Sequence, residues 1–268
     1  MATHVKTCTP STGWEWLMQG LRLFKQKPGE LFLFGNTYLF IILFVGMLIP
    51  YLGAAIVTLA TPALGYGIMT AGRMAQKGMR VGPAVMFTAF TQAERAKLNH
   101  FLVLGGIYTA GFAIIKLIAH LFLGPQPEAT LGDLQGGNPE ASAALFEYVV
   151  MYMVVVGVLS LPILLAFWYA PVLVGWHNMK PVQALFSSWV AVWRNKTTFL
   201  IYGMGWLILS LGFSSVFLTL FTMLGLPAPI LSALNMLAVA IVMAVSLCTL
   251  YPTYQSVFEQ DPHLDELV

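Results

Sequence analysis

Charge is what this sequence most lacks. Only 9% of its 268 residues are Asp, Glu, Lys or Arg, against 58% hydrophobic, where soluble domains carry roughly 25% charged residues. A larger core cannot absorb the difference, because a soluble chain must still cover itself with polar side chains. Lipid is the solvent that removes that requirement. The net charge of +2, with no basic cluster interleaved with aromatics, argues against nucleic acid as a partner. Cysteine is nearly missing as well. Cys8 lies in a polar segment and Cys248 in an apolar run, which speaks against a disulfide, and no Cys/His spacing fits a zinc or iron–sulfur site. There is no H-E-x-x-H, no G-x-x-x-x-G-K-[ST] and no G-x-S-x-G. The five histidines (His4, His100, His120, His177, His263) are scattered, and no Asp or Glu lies well inside an apolar run. A nucleophile–base pair is therefore missing, and no catalytic, cofactor-binding or metal-binding residue is expected. Nor does the start read as a cleavable signal peptide, since the first long apolar run begins only near Leu31.

What is present is a set of long apolar runs. Leu31 to Gly72 contains no charged residue, about twice the length of one bilayer crossing. Pro50 and Gly53 divide it into spans near 31–49 and 53–72. A third run covers Phe101 to Leu123 and a fourth Tyr148 to Trp176, where Pro162 and Pro171 predict a kink or a broken helix. Thr197 to Phe258 is again free of charge, and Leu226-Pro227-Ala228-Pro229 splits it into two more spans. The predicted fold is all-α and polytopic, with six transmembrane helices.

Of the 13 lysines and arginines, all but Lys116 fall within residues 1–30, 73–100 and 177–196, whereas the loop from Gly124 to Glu147 has none. The positive-inside rule then predicts both termini in the cytoplasm of a bacterial inner membrane, with the acidic tail 259–268 on the same side.

About three amphipathic helices precede spans on that side. In the first, Trp14, Leu17, Met18, Leu21 and Phe24 form an apolar stripe opposite Glu15, Gln19, Arg22 and Gln26. Thr12 and Glu15 match a capping box, and Pro28 stops the helix. Another starts at Pro181 and carries Val182, Leu185, Phe186, Trp189 and Trp193. A weaker one starts at Pro83, with Val85, Phe87, Phe90 and Ala93. Trp14, Trp16, Trp189 and Trp193 are expected as headgroup-layer anchors, which makes membrane lipids the first partners. An ordinary packed helix is the alternative, since periodicity cannot separate the two environments. The succession suggests repeat units 12–75, 83–178 and 181–258, three parallel helix hairpins; a two-by-three division would instead be inverted.

The Gly13-Trp14-x-Trp16-Leu17 opening, the Phe24-Lys25-x-Lys27-Pro28 exit, Pro62 in the second span and the Trp168-x-Ala170-Pro171 stretch resemble an uncharacterised group. Its members are six-span inner-membrane proteins common in beta-proteobacteria. More remotely the chain is similar to the membrane domain attached to some glycerophosphodiester phosphodiesterases. The resemblance covers structural motifs along the whole chain and implies no enzymatic activity.

Few polar groups remain at membrane depth. Lys116 lies about 10 Å in from Leu123 at the usual helical rise, His120 follows four residues later on the same face, and Glu147 opens the next span. These three are the candidate polar cluster, with a snorkelling Lys116 as the structural alternative. Asn36 and Asn235 are expected to bond between helices, and Gly105, Gly106, Gly203 and Gly205 to let helices approach. Ser210, Ser214, Ser215, Thr219 and Thr222 form a thin hydroxyl stripe, without the intramembrane carboxylate of a proton-coupled carrier. The expected function is therefore a non-enzymatic scaffold, assembly partner of other membrane proteins or envelope-maintenance factor. A transporter or channel for a small or lipidic solute is the alternative.

Overall fold

The computed structural model describes residues 5–48, 52–91, 95–127 and 139–258, excluding the side chains of residues 46, 214, 217 and 218. The acidic tail lies outside them. The chain runs α1 (Thr12–Gln26), α2 (Pro28–Leu48), α3 (Leu52–Gln76), a 3-10 turn at Pro83–Phe87, α4 (Thr88–Thr91) and α5 (Arg95–Leu123). It continues through α6 (Pro139–Phe167), α7 (Ala170–His177), α8 (Pro181–Arg194), α9 (Lys196–Met223) and α10 (Ala228–Val257). Six stretches are long and apolar enough to cross a membrane: α2, α3, α5, the 39 residues of α6 with α7, α9 and α10. The fold is the expected all-α, polytopic one.

Packing makes these spans an arc. α10 lies against α2, α3 and α9, α3 against α2 and α5, and α5 against α6. The arc's ends, α6 and α9, have no substantial packing on each other, and neither do α6 and α10. Nearly all large buried side chains cluster at one end, the end carrying most of the basic residues. Trp16, Phe101, Tyr169, Leu173, Trp176, Tyr202, Tyr254 and Phe258 share one core there. Farther along, α6 and α9 expose apolar side chains almost all round, the pattern of helices whose solvent is lipid.

The short helices cover the basic end. α1 rests on α10 and α9, and α8 rests on α6 and α7. α8 begins with Pro181 at its first turn, as predicted, and ends at Arg194, while Lys196 opens α9. The face it turns to the protein, however, is the small one: Ala184, Ser188 and Ala191 are buried. The bulky stripe points outward, with Val182 72%, Phe186 69% and Trp193 54% exposed. Small residues give the close fit, and the large apolar ones are left for the membrane surface. Trp193 stacks on Trp189 at 6.2 Å and takes the Lys196 ammonium over its ring at 5.1 Å.

α1 departs from expectation in two ways. Its buried residues are Gly13, Trp16, Leu17, Gly20 and Leu23, whereas Trp14 is exposed. Trp14 and Trp16 cannot share a face, because two residues turn a helix by about 200°. Trp16 is thus a core residue and no headgroup anchor. The capping box does not form either: Ser11 is the N-cap, no side chain caps the helix, and the Thr12 hydroxyl bonds to Thr9. Gly20 lies so close to the Thr249 backbone that a Cβ would overlap it.

Candidate functional site

The fourth span is broken at Trp168-Tyr169, just before Pro171, while Pro162 remains inside a continuous α6. The break has a definite cause. In an unbroken helix the Tyr169 N–H would donate to the Leu165 carbonyl. Here the Ser188 hydroxyl of α8 is inserted between them, accepting from Tyr169 N–H at 2.9 Å and donating to Leu165 C=O at 3.0 Å. Both backbone groups stay satisfied, as buried ones must.

Beside the break the aromatic core is keyed to one stripe of α10. Thr249, Thr253 and Ser256 each donate to a carbonyl of their own helix, which leaves oxygen lone pairs for outside donors. Tyr202 Oη reaches Thr249 at 2.7 Å, Trp168 Nε1 donates to Thr253 at 3.3 Å, and Trp16 Nε1 donates to Ser256 at 2.9 Å. Sequence reasoning passed over Ser188 and these three hydroxyls. Their signal was positional: polar residues on faces otherwise filled by small or aromatic ones.

Above this core lies a cavity of about 310 Å³, the size at which small-ligand sites begin. Its walls come from α2 (Tyr38), α3 (Thr61, Gly65, Met69), α5 (Tyr108), α6 (Leu164, Phe167), the break (Trp168), α7 (Val172) and α10 (Leu250). α9 contributes nothing to the lining, and α6 and α10 do not close on each other, so a lateral side remains unpacked. The surface is mainly apolar, and Tyr38, Thr61, Tyr108 and Trp168 are the lining residues that carry a side-chain polar group. A smaller notch of about 170 Å³ lies at the basic end, lined by Gln19, Arg22, Gln26, Gln76 and Tyr251 among others.

One helical turn from the cavity, on the same two helices, sits a buried cation. Met69 and Val172 line the cavity; Arg73 and Trp176 follow four residues later on α3 and α7. Arg73 is 4% exposed, its guanidinium carbon lies 5.1 Å from the Trp176 ring centre, and its Nη2 has no hydrogen-bond partner. No carboxylate among the described residues pairs with it. Cation–π contact in a desolvated site is worth roughly 2 kcal/mol, less than the several kcal/mol that burying an isolated charge costs. Charge counting assigned Arg73 to a loop. The structure puts it inside α3, because the helix continues for a turn after the apolar run ends.

The expected polar cluster does not assemble. Lys116, His120 and Glu147 are all exposed on the outside of the bundle, and no hydrogen bond or ion pair joins them. Lys116 is left to extend along the helix toward the interface. Asn36 bonds the Phe32 carbonyl of its own helix, and Asn235 is exposed without a hydrogen bond, so neither bridges helices. Gly105 meets the Leu59 carbonyl and Gly205 the Leu17 side chain, whereas Gly106 and Gly203 face open space. The α9 hydroxyls at Ser215, Thr219 and Thr222 face outward too; the Ser214 side chain lies outside the described residues.

Against known proteins the chain is similar to a probable inner membrane protein of Burkholderia thailandensis. The two are 32% identical over 257 residues, which is 96% of this chain and 94% of that protein. No family model and no solved structure matches. Nothing in the comparison supports the remoter similarity to the phosphodiesterase membrane domains.

Proposed function

The chain belongs to the family of this Burkholderia thailandensis inner membrane protein, and from that premise we propose that it is a non-catalytic lipid-binding protein of the inner membrane. The ligand's apolar part occupies the cavity bounded by α3, α5, α6 and α10. The observation that carries this reading is the cavity itself, mainly apolar, walled by helices long and apolar enough to cross a membrane, and with an unpacked side. Lateral access suits a molecule that arrives from the bilayer. A solute crossing from water would need a continuous polar path, and Ser215, Thr219 and Thr222 of α9, which hinted at one, face away from the bundle. A bare scaffold accounts for the covering helices but gives the cavity no role.

The basic end is read as cytoplasmic on the positive-inside rule, which puts the cavity in reach of the inner leaflet. The outward-facing Val182, Phe186 and Trp193 of α8 and Trp14 of α1 then rest in that leaflet's headgroup layer.

Native mass spectrometry of protein extracted in mild detergent tests the reading. Gly65 lines the cavity, and a Cβ there meets only Pro171 Cγ, at 3.7 Å; Gly65→Phe therefore fills the space. Gly203→Phe, at an open position on α9, is the control. Wild type and Gly203→Phe retain bound lipid through delipidation, and Gly65→Phe loses it. Equal retention by all three rejects the cavity as the binding place.

A further inference from the structure

We infer that Arg73 is the receptor for a phosphate-bearing headgroup, so that the lipid held by this protein is an anionic one. The inference rests on the proposed lipid-binding role for the ligand's apolar part, and on Arg73 alone for its charge. A guanidinium buried among apolar and aromatic neighbours is kept by a fold only when something balances it. Trp176 holds one face of the group. That leaves the in-plane N–H bonds, of which those at Nη2 point at no acceptor. A guanidinium nitrogen left free to donate is a charge-assisted donor of the kind that phosphate oxygens accept.

Position favours a lipid over a free ion. Arg73 follows the cavity-lining Met69 by one turn, and Trp176 follows Val172 in the same register. A molecule with chains in the cavity thus has its headgroup at the depth of the Arg73–Trp176 stack, near the basic ends of α3 and α7. Lys77 and Lys180 lie beyond the same two helix ends, and basic residues near a membrane surface raise the local concentration of anionic lipid. The described acids offer no competitor. Glu30 is engaged by Lys27 and the Val81 N–H, Glu15 is exposed on α1, and Glu140 and Glu147 belong to the far end.

The test uses the full chain in nanodiscs of equal phosphatidylglycerol and phosphatidylcholine, with retained lipid identified after release into detergent. Wild type retains phosphatidylglycerol in preference. Arg73→Gln lowers that preference about tenfold or more, as loss of a hydrogen bond to a charged group requires, while total retained lipid is unchanged. Arg73→Lys, which keeps the charge and guards against misfolding of the glutamine variant, recovers only part of the preference. Arg22→Gln, in the separate notch, recovers wild-type behaviour. If wild type retains lipid without headgroup preference, the Arg73 inference falls and the cavity reading stands. If it retains no lipid yet is thermally stabilised by inorganic phosphate through Arg73, the site takes a free anion and the lipid assignment is wrong. If removal of residues 259–268 abolishes the effect of Arg73→Gln on stability, a carboxylate of the chain's own tail is the acceptor, which also overturns it.

Discussion

Replacing Ser188 by alanine removes one oxygen and changes little volume, yet that oxygen joins two backbone groups across the broken fourth span. Ser188 is fully buried, so water cannot take its place without opening the contact between α8 and the break. The Tyr169 N–H and Leu165 C=O would each lose their partner. A buried group left unsatisfied costs about 1–3 kcal/mol; closing the gap to restore the helical bond would instead straighten the break and shift Trp168 and Pro171, which line the cavity. Either route destabilises by roughly 2 kcal/mol, a factor of about 30 in the unfolding equilibrium. The control is Ser246→Ala. Its hydroxyl bonds only to Met243 of its own helix, at the carbonyl and the sulfur, where loss is nearly neutral. Denaturant-dependent loss of near-ultraviolet circular dichroism in detergent measures both. If Ser188→Ala is no less stable than Ser246→Ala, the hydroxyl does not hold the break.

Other expectations follow from single contacts. Reporter fusions should be periplasmic at Gln135 and cytoplasmic at Asn178, given where the basic residues lie; a periplasmic signal at Asn178 defeats the six-span topology. Burial raises the Cys8 thiol above its ordinary pKa, with Lys6 opposing and Glu15 adding to the rise. Its alkylation at pH 7.5 should therefore be slower than that of a free thiol and quicken about tenfold per pH unit below that raised pKa; equal rates at pH 7.5 contradict the burial. Gly20→Leu should loosen α1 from α10 by about 1–3 kcal/mol or more, because the new side chain meets the Thr249 backbone. Faster tryptic cleavage after Arg22 or Lys25 reports this, and unchanged cleavage would refute it. Lys116→Met should leave stability and bound lipid as they are, since no contact holds Lys116; a measurable loss of either would restore it as a site residue.

The spans were readable because crossing a bilayer demands long apolar runs, whatever they pack against. The break was only half legible. Pro162 and Pro171 both marked the fourth span for a kink or a break, but only the region of Pro171 breaks, where the Ser188 hydroxyl of another helix fills the gap. Amphipathic stripes were readable as stripes but not in direction. α8 turns Ala184 and Ala191 inward and Phe186 outward, and nothing in its periodicity says which side is protein and which is lipid. Trp16 was misassigned because both environments favour tryptophan. Ser188 and Arg73 stayed invisible for a different reason. Each gains its meaning from a residue far along the chain, Ser188 from the Leu165–Tyr169 gap and Arg73 from Trp176. The cavity belongs to the same class, being enclosed by segments from Tyr38 to Leu250.

The seating of α1 bears on how this protein is made. Its partners, α9 and α10, leave the ribosome after all the other described helices. Trp16 donates to Ser256 across 240 residues, Lys6 N–H donates to the Val257 carbonyl, and Val5 bridges Phe258. α1 is therefore made well before the two helices that cover most of its apolar face, and Trp16 stays without its Ser256 partner until α10 is in place. A chain cut short before α10 keeps five apolar spans but loses the larger part of the surface on which α1 rests.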